Sequence, residues 1–103
     1  MRINVETEIV GLDGQPILDG KGTLVLRDVL TRALTELPAG EKPDWKSSVK
    51  KFNLAIRLQE DEQVELAVAD VQLLMELVGS MYTPLVAGRV CHLLDPTTKG
   101  NVG

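Results

Sequence analysis

The chain has 103 residues, 44% hydrophobic and 25% charged, with a formal net charge of −4, which describes one domain able to bury roughly two-thirds of its unfolded surface. Its single cysteine, Cys91, excludes an internal disulfide, and no apolar run approaches the ~20 residues of a membrane span. The acidic balance counts against the nucleic-acid backbone as main ligand, since each phosphate contact needs an exposed Lys or Arg, and one Trp, one Tyr and one Phe make no platform for stacked bases.

Nothing at Met1-Arg2-Ile3-Asn4 resembles a signal peptide, because Glu6 and Glu8 interrupt any apolar run, so the expected setting is a reducing, intracellular one. From Ile3 to Ile17 the pattern is extended. Ile3, Val5, Thr7 and Ile9 share one face of a period-two repeat, and Asp13-Gly14 is a turn signal, which together predict a hairpin over 3–17 with Pro16 on an edge. Asp19-Gly20-Lys21-Gly22 is a second loop.

Helical spacing then begins. Leu26, Val29, Leu30, Ala33, Leu34 and Leu37 recur on one face and predict a helix over 25–37, stopped by Leu37-Pro38-Ala39-Gly40, with Leu24 and Val25 able to finish a strand before it. A second helix follows Pro43 and runs over 44–59. Trp45, Val49, Phe52 and Ile56 form its main apolar seam, and Lys46, Lys50 and Arg57 a basic stripe beside it. Leu54 and Leu58 lie nearly opposite that seam, so this helix either bridges two layers of the domain or shows two leucines to a partner. Glu60-Asp61-Glu62 reads as a solvated connector.

A third helix is expected over 68–81. Val71, Leu73, Leu74, Met75, Leu77, Val78 and Met81 cover an arc of roughly 200°, leaving Gln72, Glu76 and Gly79 as a narrow solvent stripe. Such a helix must be sandwiched between neighbours or covered by a partner. Ala67 at its N-cap position has no side-chain acceptor, which predicts fraying or a tertiary substitute, while Asp70 suits the positive end of the dipole. Thr83-Pro84 is a favourable start for a fourth helix over 84–95, with Val86, Ala87, Val90, Leu93 and Leu94 inward. Residues 1–96 thus form one domain and 97–103 a loose polar tail. The expected fold class is α+β: a short N-terminal β-hairpin packed against a mainly α domain of four helices, the third central.

No combination of residues has the make-up of a reaction centre. Gly14 to Gly22 has five residues between the first two glycines of a phosphate-loop pattern instead of four, and glycine where Ser or Thr would hold magnesium. Cys91 and His92 are adjacent, yet on a helix Cys91 borders the apolar face while His92 projects toward the polar side with Gly88 and Arg89, so the pair does not converge on a metal. Val78-Gly79-Ser80-Met81 lacks the second glycine of a nucleophile elbow, and no stretch has the alternating oxygens of a calcium loop. The last two helices invite comparison with a DNA-reading helix-turn-helix, but the second begins Pro84-Leu85-Val86-Ala87-Gly88, leaving Arg89 and His92 alone to touch nucleic acid. No catalytic, cofactor-binding or metal-ligating residue is therefore assigned.

Val64-Glu65-Leu66, Val68-Ala69-Asp70-Val71 and the run Leu77 to Gly88, with Leu12 to Ile17 and Lys50 to Ala55, resemble a pattern found in small uncharacterised proteins of tailed bacteriophages and prophages. Those relatives commonly carry a polar residue where Ala67 stands. The resemblance implies a phage origin and carries over no functional residue. The expected function is a non-enzymatic protein–protein interaction module, a phage accessory or virion-assembly protein, with a phage inhibitor of a host protein or a helix-turn-helix regulator as alternatives. Leu54 and Leu58 are the expected contact residues and Lys46, Lys50 and Arg57 their polar rim. The expected partner is a protein, either a second copy in a homo-oligomer or a phage or host protein. No small-molecule substrate, cofactor, nucleic acid or membrane is called for, and the expected location is the host cytoplasm or the virion.

Overall fold

The computed structural model describes residues 1–20, 22–36, 40 and 42–96. Within them lie β1 (Arg2–Asn4), β2 (Leu18–Asp19), β3 (Gly22–Thr23), α1 (Leu26–Thr35), α2 (Trp45–Glu60), β4 (Gln63–Glu65), α3 (Val68–Met81) and α4 (Pro84–Leu94). This is an α+β domain of four helices with short antiparallel strand pairs. The expected helix stop at Leu37-Pro38-Ala39, Lys21 of the second loop and the tail 97–103 lie outside the described residues.

The alternation at the N-terminus is real, but its strand pairs elsewhere. Ile3, Val5 and Ile9 are buried, and β1 lies antiparallel to β4 with Ile3 opposite Val64, not against its own chain neighbour. Val5 N–H donates to Glu62 O at 2.9 Å, so the end of the exposed Glu60-Asp61-Glu62 connector leads directly into a strand that the pattern did not predict. Its period-two signal is short: Val64 and Leu66 point inward while Gln63 and Glu65 point out. The expected hairpin shrinks to a single bridge between Val10 and Pro16 around the Asp13-Gly14 turn, where Gly14 takes φ of +80° and Asp13 Oδ1 accepts from Gln15 N–H. A one-residue ladder suits Pro16, which has no amide hydrogen to offer.

Tertiary contacts cap α1, whose own sequence does not. Val25, at the N-cap of α1, has no acceptor side chain, and the free amides of Leu26 and Arg27 instead donate to Thr7 O and Val5 O, both at 2.8 Å. Ala67 offers α3 no side-chain cap either, but there the substitute is local and not tertiary: Asp70 Oδ2, in the helix's own first turn, accepts from Ala67 N–H at 3.1 Å, half of a capping box. Asp44 caps α2 by accepting from Ser47 N–H. Thr83 occupies the N-cap of α4 with Pro84 first in the helix, as expected, but its hydroxyl makes no capping bond.

The core is a single cluster. α1 contributes Leu26, Val29, Leu30, Ala33 and Leu34; α3, lying between α1 and α4, contributes Val71, Leu74, Leu77 and Val78. Gln72, Glu76 and Gly79 form the exposed stripe that the α3 pattern predicts. On α4, Val90 and Leu94 are buried and Val86 and Ala87 pack at the edge, whereas Leu93 is exposed, correcting the expected inward face. Every buried side chain in this core, among the described residues, is aliphatic.

Candidate protein interaction surface

Helix α2 is oriented opposite to expectation. Leu54 and Leu58, the expected contact residues, are 4% and 0% exposed and belong to the core with Ala55; the Trp45 seam faces outward, with Trp45 72%, Val49 49%, Phe52 59% and Ile56 45% exposed. Neither expected arrangement holds: the leucines face the core and not a partner, and the Trp45 seam faces outward and not a second layer of the domain. The reason is volume. α2 packs on α1 through a side bearing Ala55 and two leucines, which lets the axes approach closely, while an indole and a phenyl ring would hold them apart.

Two arginines fix that rotation. Arg27 of α1 donates from Nε to Leu58 O at 2.8 Å and from Nη2 to Asp61 O at 2.9 Å, and pairs with Glu6, so a cation closes the negative end of α2. Arg57, expected in the polar rim, is committed within the fold: it donates to Glu65 O and pairs with Asp70 at 3.6 Å, tying α2 to β4 and to the first turn of α3. Lys46 and Lys50 remain exposed, Lys46 resting its Nζ 5.7 Å from the Trp45 ring centroid.

The seam is therefore an outward strip of two aromatic and two β-branched residues, at successive spacings of four, three and four. A stripe of that width is the narrow seam of a coiled coil, not the broader face of a helix lying on a globular core. Aromatic side chains exposed over an all-aliphatic interior are also what protein interfaces are enriched in.

Burial pushes the Cys91 thiol above its ordinary range, which makes it a poorer nucleophile. His92 is half-buried, not projecting into solvent, because the N-terminal segment covers this side of α4. It lines a hollow of about 100 Å³ with Glu8, Ile9, Val10, Arg89 and Leu93, and Cys91 is not in that lining. Arg89 donates to Val10 O at 3.0 Å and Gly11 O at 2.8 Å, so a side chain that a DNA-reading helix would offer is engaged with the backbone of the first loop. Tyr82 is also raised, chiefly by burial, with Arg32 acting the other way. No group of His, Cys, Asp and Glu among the described residues has the arrangement of a metal site, and none of these helices is long and apolar enough to cross a membrane.

Comparison with known proteins returns no family profile, no curated protein and no solved structure that matches the chain.

Proposed function

We propose that the chain is a non-enzymatic protein–protein interaction module that docks through the outer face of α2. One observation carries the reading: Trp45, Val49, Phe52 and Ile56 stand together and exposed on a protein whose core, among the described residues, is built from aliphatic side chains. From their exposures these four side chains present on the order of 400 Å² of apolar surface, within the range where a patch on a monomer is commonly functional. Trp and Phe are also the residue types that anchor interfaces. The setting we propose is a phage accessory or virion-assembly protein in the host cytoplasm or virion, on the sequence resemblance given above; inhibition of a host protein is the alternative use of the same face.

Photo-cross-linking in producing cells tests it. A cross-linking amino acid at position 52 should yield a discrete protein adduct, and the same group at Gln72, on the exposed stripe of α3, should not. If position 52 yields nothing, or both positions label equally and diffusely, the reading fails.

A further inference from the structure

We propose that the occupant of the α2 seam is a second copy of this chain, its α2 antiparallel to the first across a twofold axis, an inference that rests on the interaction-module reading. The order of side-chain sizes points to it. In an antiparallel pair each first-type seam position meets a second-type one, so Trp45 lies level with the partner's Ile56 and Val49 with the partner's Phe52, and the same two layers repeat beyond the axis. Each layer then combines one aromatic with one β-branched side chain, giving equal volumes along the seam. A parallel pair would stack Trp on Trp and Val on Val, over-filling one layer and leaving a void in another.

The charges fit the same arrangement. Lys46, Asn53 and Glu60 recur every seven residues along one edge of the seam. Antiparallel pairing brings the first turn of one helix beside the last turn of the other, so Lys46 faces the partner's Glu60 twice, with Asn53 near the axis. Neither Glu60 nor Lys46 forms an ion pair within its own chain among the described residues, and Lys46 rests over the Trp45 ring, so both charges are available. On the other edge Ser48 is exposed and small enough for close approach, whereas Ala55 is turned into the core. Lys50 and Arg57 sit one step further round, and Arg57 is neutralised by Asp70. Doubling the ~400 Å² patch and adding its polar edges gives roughly 1,000 Å² or more of buried surface, at the threshold of a specific interface. Two such small patches suit a dimer that forms and dissociates with concentration.

Sedimentation of the purified full chain over a wide concentration range tests the pairing, with thermal melts to verify folding. The expected result is a concentration-dependent rise from one to two chain masses, abolished by Phe52→Glu in a protein that still melts cooperatively. Lys46→Glu and Glu60→Lys should each weaken dimerisation about tenfold, since each places like charges together at two symmetric places, and the double swap should restore it. A strict monomer at the highest concentration, or a dimer indifferent to Phe52→Glu, overturns self-pairing; a double swap as weak as either single change overturns the antiparallel register. A monomer that still cross-links from position 52 to a different protein overturns self-pairing alone, whereas absence of any adduct removes the interaction reading as well.

Discussion

Helices α1 and α2 each carry an apolar stripe, broad on α1 and narrow on α2, and use it in opposite ways. The α1 stripe of Leu26, Val29, Leu30, Ala33 and Leu34 is buried, while the α2 stripe of Trp45, Val49, Phe52 and Ile56 faces out and the sparser side with Leu54 and Leu58 faces in. Periodicity therefore identifies a face without saying which side of the helix the core will take. That choice is made by what the neighbours can accommodate, and in a domain this small they accommodate Leu and Ala more readily than indole and phenyl rings. The apolar stripe left outside is then free for binding.

The contrast can be broken most directly in the α2 interior. Leu58→Ala should lower the unfolding free energy by about 2–5 kcal/mol in a urea titration, because Leu58 is fully enclosed. A loss as small as that of a surface truncation would mean that α2 is not rotated as described. Next in size is Arg27→Met, which removes the bonds to Leu58 O and Asp61 O; a cost of about 2 kcal/mol, with faster amide exchange confined first to the last turn of α2, would sharpen the assignment of Arg27 as the residue that sets this rotation. Asp70→Ala deletes both the bond from Ala67 N–H and the pair with Arg57. About 1 kcal/mol should be lost, with exchange accelerated in the first turn of α3. Smallest of all should be Trp45→Ala and Ile56→Ala, each within about 0.5 kcal/mol for the dilute monomer. If either costs as much as Leu58→Ala, the seam is structural and its proposed role in binding fails.

Much of the fold is legible in the residues. Four helices follow from spacing and from Pro43 and Pro84 near two of the starts, and the α1 face and the exposed Gln72, Glu76 and Gly79 stripe follow from the wheel alone. β4 is less visible because its alternation rests on two inward residues, Val64 and Leu66, beside an acidic run with every mark of a linker. The candidate site is half legible: Trp45, Val49, Phe52 and Ile56 stand out as a seam, but with Leu54 and Leu58 opposite them the pattern is symmetric as to which faces water. The coiled-coil spacing of four, three and four is the signal that favours the outer assignment, being too narrow a stripe for a helix lying on a broad core.

Local physics settled what each segment is: 3.6-residue periodicity makes helices, and Asp13-Gly14 makes a turn, from interactions within a few residues of one another. Assembly settled what each segment touches. That β1 meets β4, that Arg27, Arg57 and Arg89 spend their donors on distant carbonyls, and that α2 turns its rings outward all depend on contacts between residues far apart in the chain, where competing volumes and unsatisfied backbone groups are resolved only once the whole domain is closed.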